Sequence, residues 1–115
     1  MSIPNAASAV VERQKLIDYL LNASHPENGG KAQFFKALGY TPQDWESLVR
    51  ALRAIAVSGT AVETQHTEHG VKYVVEVNLV SSLPVRPQII RRVRTVWVVE
   101  PNSSNPRLVT AYPAA

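Results

Sequence analysis

The hydrophobic period of this chain changes at Gly59, and that change constrains its fold more than any other feature. Before Gly59 the apolar residues recur at helical spacing; after it they alternate with polar ones. Residues 8–21 read as an amphipathic helix with Val10, Leu16, Ile17, Leu20 and Leu21 on its apolar stripe. Glu12, Arg13, Lys15 and Asp18 form its wet side, and Asn5 or Ser8 supplies a cap. Residues 22–30, rich in Asn, Gly, Pro and Ser, read as a loop. A short helix over 31–38 turns Phe34, Phe35 and Leu38 inward and stops at Gly39. Thr41 then reads as an N-cap, with Pro42 at the first helical position and Asp44 at the favourable end of the dipole. This third helix runs to Val57 on a stripe of Trp45, Leu48, Val49, Leu52, Ile55 and Ala56.

Past Gly59, residues 60–68 are polar and Thr-rich, which suits an edge strand, and His69-Gly70 is a hairpin turn. Val71, Tyr73, Val75, Val77 and Leu79 alternate with Lys72, Glu76 and Asn78, as a strand with one buried face requires. Two prolines exclude residues 81–88 from a central strand. Residues 89–100 and 107–112 complete the set, joined by a turn at 101–106. Three helices followed by four strands predict an α+β fold, with the N-terminal helices packed on one face of a four-stranded antiparallel sheet. Trp45, Leu48 and Leu52 are expected to meet Val75, Val77 and Trp97.

The chain has 115 residues, the length of one domain, and no linker or repeat divides 1–115. Its 45% hydrophobic and 18% charged residues exclude a disordered chain, and no apolar run approaches a membrane span. The N-terminal residues lack the basic and apolar regions of a secretory signal. With no cysteine there is no disulfide framework, thiol nucleophile or thiolate metal site. That fits a reducing compartment, and a cytoplasmic location is expected.

The net charge is only +3, but its placement is informative. Between Pro84 and Val99 stand Arg86, Arg91, Arg92 and Arg94, with no acidic residue. Such a stretch suits an anionic partner, RNA or a small acidic protein, or else makes a solvated sheet edge. If Trp97 faces the helices, the alternation puts Arg92 and Arg94 on the other face, about 7 Å apart. Thr110 and Tyr112 have the same spacing on the last strand. Side by side, these groups can hold a phosphate: Arg as a planar charged fork, hydroxyls as neutral donors. The alternative is a basic, solvated face.

His25 in the loop and Lys31 at the second helix start are further proton donors or phosphate contacts. A loop histidine followed by proline can equally be inert. Gly29 and Gly30 match no phosphate-loop spacing, and no nucleophile elbow, dinucleotide fingerprint or Walker loop is present. His66 and His69 lie near Glu63 and Glu68, but without ligand spacing, so neither a metal nor a cofactor is expected.

Three blocks carry a resemblance: KLIDYLLNASHPENGGKAQFF (15–35), GVKYVVEVNL (70–79) and RRVRTVWVVEPNSSNPRLVTAYP (91–113). Together they resemble an uncharacterised bacterial domain family associated with polymorphic toxins and toxin–antitoxin loci. More loosely, the order of helices then strands is similar to the barnase, EndoU, colicin and RelE ribonuclease superfold. That resemblance implies metal-independent RNA cleavage by 2′-hydroxyl attack on the adjacent phosphate. His25 would exchange the proton, and Lys31 and Arg94 would stabilise the phosphate charge. Thr110 and Tyr112 would position the phosphate, with Arg91, Arg92 and Thr95 as substrate contacts. Two departures accompany it: there is one candidate histidine rather than an acid and base pair, and Thr95 has the parity of Trp97. A small acidic antitoxin or immunity protein is the implied partner. Two other readings stay open: a non-enzymatic antitoxin, immunity or adaptor module, and a nucleic-acid binder without catalysis.

Overall fold

The computed structural model describes residues 3–22, 30–81 and 89–114. Its element order is helical first and strand second, with the change at Gly59.

The first helix is shorter than its apolar stripe implies. Ala6–Ser8 form a separate 3-10 turn, and α1 (Arg13–Lys15) continues as a π-helical turn over Leu16–Leu20. Val10, placed above on a helix, is extended: its N–H donates to Pro106 O at 2.8 Å, and its carbonyl accepts from Leu108 N–H at 3.0 Å. It thus forms a parallel bridge with Arg107. Paired β-branched residues at 10 and 11 favour this extended link over a helical turn. The π turn is closed by Leu21 N–H on Leu16 O at 2.7 Å, and buries Leu16 and Leu20.

Helix α2 (Lys31–Ala37) buries Ala32 and Phe35. Gly39, at φ +94°, reverses the chain after it, so that Tyr40 N–H reaches Phe35 O. A 3-10 turn over Pro42–Asp44 leads into α3 (Trp45–Ser58), which buries Leu48, Leu52, Ile55 and Ala56. Thr41 has the extended backbone of a cap but its hydroxyl makes no capping bond. At this end Asp44 Oδ2 instead accepts from the Ser47 hydroxyl at 2.6 Å.

Four strands follow: β1 (Ala61–Thr67), β2 (Gly70–Val80), β3 (Ile90–Val99) and β4 (Arg107–Pro113). They lie in sequence order in one antiparallel sheet. On one side, Val75 pairs Thr95 and Tyr73 pairs Trp97. These residues and Val93 are buried, as is Ala111 beside Thr95. The core cluster joins them to Leu16, Leu20, Phe35, Leu48 and Leu52. Trp45 and Val77 are half-buried at its margin. Gly59 lets α3 turn directly onto the sheet: a Cβ there would stand 2.3 Å from Val75 Cγ1 and 2.7 Å from Ile55 O.

Strand alternation leaves Glu76, Arg92, Arg94, Thr110 and Tyr112 on the other side of the sheet. A bulge makes the β4 contribution possible. The register slips between Val96 and Trp97, so Thr110 pairs Val96 while Leu108 pairs Trp97. By simple alternation Leu108 would share a face with Thr110 and Tyr112. The extra residue turns Leu108 into the core and leaves both polar side chains beside Arg94.

Candidate functional site

Tyr112 stands directly across the β3–β4 ladder from Arg94. Lys31, the first residue of α2, reaches the same place from outside the sheet, its Nζ 6.0 Å from the centre of the Tyr112 ring. The same ammonium donates a hydrogen bond to the Tyr19 hydroxyl and lies 4.6 Å from that ring's centre. Lys15, one helical turn before Tyr19, is 5.8 Å from the ring on its own account. Thr110 adjoins the Tyr19 hydroxyl, and its Oγ1 is buried without a partner of its own among the described residues. Tyr19, Lys31, Arg94, Thr110 and Tyr112 are all half-buried, neither locked in the core nor freely solvated.

The electrostatics of the cluster follow from these contacts. The Tyr19 phenol is held below its ordinary pKa, chiefly by the hydrogen bond from Lys31, against the opposing effect of burial. Thr110 and the charges of Lys31 and Lys15 act in the same direction as that bond. Arg94 is braced on both sides: Nη1 binds Glu76 Oε1 at 2.6 Å and Nη2 binds Glu63 Oε2 at 2.7 Å. The Glu76 contact, first among several, pushes its pKa up further, so the guanidinium stays charged. Arg92 Nε lies 3.7 Å from the second oxygen of Glu76.

These pairs revise the picture of an unopposed basic stretch. β3 itself carries no acidic residue, but the sheet supplies counter-charges: Glu76 from the adjoining β2 and Glu63 from β1, one strand further away. In the sequence Glu63 stands out only as an acid near His66 and His69, and Glu76 has no assigned role, because only cross-strand register brings them to Arg94. Arg91 is exposed and donates to Ile90 O at 3.0 Å.

Thr95, expected as a substrate contact, lies in the core on the Trp97 side of the sheet. It is fully buried, donates to Val75 O at 2.9 Å and accepts from Trp97 Nε1 at 2.9 Å. The Trp97 indole needs an acceptor in the core, and Thr95 supplies it. His25 lies outside the described residues. His66 and His69 are exposed, with His69 Nε2 3.5 Å from Glu68. Among the described residues no three His, Asp or Glu side chains gather as metal ligands do.

Tyr19 was absent from both sides of the expected first helix. Its Lys15 neighbour at helical spacing was the one local signal; its contact with Lys31, twelve residues on, exists only through folding. Tyr112 and Thr110 also line an open groove of about 600 Å³ with Val96, Val98 and Lys72, and with Arg107, whose guanidinium is paired to Glu100 at 2.9 Å. The site is thus a cationic and phenolic cluster at one end of an open, partly apolar groove, able to hold an anion and to exchange a proton.

Fold and site define a small α+β protein with a half-buried Lys–Tyr–Arg centre beside its antiparallel sheet. The chain belongs to the family described as a domain of unknown function, DUF6883, which matches residues 2–115. No curated protein matches its sequence. Its fold is similar to that of a chain in the contact-dependent growth inhibition toxin–immunity protein complex from Klebsiella pneumoniae 342. The likeness has a TM-score of 0.69 at 16% identity, and covers 91% of this chain and 99% of that one. At that identity the likeness is one of fold. No helix among the described residues is long and apolar enough to cross a membrane.

Proposed function

We propose that this protein is a toxin-type, metal-independent ribonuclease built on the barnase, EndoU, colicin and RelE superfold. One observation carries the reading: Lys31, Arg94, Thr110 and Tyr112 come from three separate elements and gather at one place. In this reading the helices cover the Trp97 side of the sheet and leave the Arg94 side to the substrate. A phosphodiester sits against Arg94 and Lys31, which stabilise the charge that gathers on its oxygens during attack by the 2′-hydroxyl. Thr110 and Tyr112 fix its orientation. Arg91 and Arg92 contact flanking phosphates, and His25 exchanges a proton. The product is a 2′,3′-cyclic phosphate.

Arg94 must turn one arm to the substrate. The Glu63 carboxylate is half-exposed, so its bridge to Nη2 is the weaker attachment and the one a phosphate displaces. Glu76, more buried, keeps Nη1 and the plane of the guanidinium in place. The reading treats residues 1–115 as one domain, needs no cofactor, and has the protein act on RNA in the cytoplasm. A small acidic antitoxin or immunity protein is its partner; the similar fold in a toxin–immunity complex supports such a setting.

A second reading, a non-enzymatic antitoxin, immunity or adaptor module, is favoured by a specific observation. Arg94 already has two carboxylates, an arrangement that stiffens a sheet face for protein contact as well as it prepares a phosphate site. Expression in a bacterial host separates the two. A ribonuclease arrests growth, and Arg94→Ala with Lys31→Ala relieves the arrest at equal protein level. Unimpaired growth with soluble wild-type protein leaves the binding module as the reading.

A further inference from the structure

We infer that Tyr19 is the general acid of this site: its phenol gives a proton to the leaving 5′-oxygen, and the Lys31 ammonium holds the phenolate left behind. The inference rests on the ribonuclease reading and supplies what that reading lacks. One histidine in the relevant segments cannot be both acid and base in a single step, so a second proton-exchanging group is required.

The geometry favours Tyr19 for that role. A lysine ammonium has three donors and no acceptor, so in the Lys31–Tyr19 bond the phenol oxygen accepts. The phenol's own proton is therefore not engaged by Lys31. Loss of that proton turns an ammonium–phenol hydrogen bond into an ammonium–phenolate ion pair, which strengthens the contact as negative charge develops on the oxygen. Cations face Tyr19 from two elements: Lys15 from its own helix and Lys31 from α2. From β4 it meets the Thr110 hydroxyl, with Tyr112 beyond Lys31. Among the described residues no carboxylate appears in the groups that shift its ionisation, whose net effect favours phenolate. Tyr19 also lies within the π-helical turn, a geometry that recurs at functional sites because it re-aims a side chain relative to its neighbours. Lys31 links this donor to Tyr112, and Tyr112 faces Arg94, so proton donor and phosphate charge-binder lie at the two ends of one contiguous set.

In the reaction the 2′-oxygen–phosphorus bond forms as the phosphorus–5′-oxygen bond breaks. The 2′-hydroxyl proton passes to the base that the ribonuclease reading requires, and the phenol proton passes to the 5′-oxygen. The base then gives its proton to solvent, and the phenolate recovers one from it.

Two substrates test the assignment on the intact chain: an RNA dinucleotide, and a nucleoside 3′-phosphate ester with para-nitrophenol as leaving group. Nitrophenolate departs without a proton. Tyr19→Phe should slow dinucleotide cleavage by about 10²–10⁴-fold and leave the nitrophenyl ester within a few-fold of wild type. Equal losses on both substrates, or no loss on the dinucleotide, overturn the general-acid role while the ribonuclease reading stands. If the wild-type protein cleaves neither substrate, the ribonuclease reading itself falls and takes the acid role with it. A second measurement is independent of turnover. The alkaline absorbance difference between wild type and Tyr19→Phe isolates the Tyr19 ionisation, which should lie below 10.0, the ordinary value, and move upward in Lys31→Met. A midpoint at or above the ordinary value, or one indifferent to Lys31, contradicts the pairing. Should Tyr19→Phe fail to fold, Lys31→Met carried through the same two substrates decides, with a larger loss on the dinucleotide expected and equal losses overturning the role.

Discussion

Arg94 and Tyr112 face each other across the β3–β4 ladder, on the side of the sheet away from Trp97. A single bulge in β4 makes that possible while Leu108, four residues before Tyr112, turns into the core beside Trp97. The face that carries Arg94 and the core are therefore coupled through one irregularity of register. An added or deleted residue there exchanges the two faces for everything beyond it.

Arg94→Ala should reduce RNA cleavage by about 10²–10³-fold, through lost stabilisation of charge on the phosphate. Glu63→Gln should retain cleavage within a few-fold or raise it, because it loosens the arm that the substrate must take. Single-turnover rates on one oligoribonucleotide check both. A Glu63→Gln loss as large as that of Arg94→Ala would show that the outer bridge is part of the active geometry.

Leu52 is fully buried in the cluster that holds Val75 and Trp97. Leu52→Ala should destabilise the fold by about 2–5 kcal/mol in chemical denaturation, from lost burial and the cavity left behind. A loss under about 0.5 kcal/mol would place α3 elsewhere, since substitutions away from packed sites fall in that range.

Gly59→Ala should cost about 1–3 kcal/mol by the opposite route, overpacking. The added methyl meets Val75 Cγ1 and the Ile55 carbonyl at distances neither can keep without backbone movement. Thermal unfolding measures it; a neutral substitution would mean that the junction between α3 and β1 is looser than described.

Burial holds the Tyr40 phenol above its ordinary pKa, so the folded state keeps the proton that the unfolded chain releases. With the folded value raised, this contribution is fully present below about pH 10 and is lost as pH rises from the unfolded value through the folded one. Tyr40→Phe, which cannot ionise, should therefore lose less stability than wild type between neutral pH and that alkaline window. Denaturation midpoints measured across it decide, and parallel losses would contradict the assignment.

The sheet is largely legible in the sequence. Period-two alternation in residues 71–79 needs no partner to be read; in 89–100, where apolar residues stand at both parities, the need of Trp97 for cover put Thr95 with Trp97 and Arg94 opposite, as the structure has them. The first helix was less legible. Val10 fits a helical stripe, yet it pairs with the chain near Arg107, and the competing tertiary hydrogen bonds prevailed. In the candidate site, Lys31, Arg94, Thr110 and Tyr112 were readable as phosphate-compatible types. Tyr19, Glu63 and Glu76 were not, because their significance comes from register and helix placement rather than from their neighbours in sequence.

The most direct test of the central claim is to incubate the purified protein with total RNA in excess EDTA and determine the chemistry of the new ends. A metal-independent ribonuclease using 2′-hydroxyl attack yields 2′,3′-cyclic phosphate and 5′-hydroxyl termini, and the yield falls about 10²-fold or more in Arg94→Ala. Intact RNA, or cleavage of equal extent in that variant, would contradict the account.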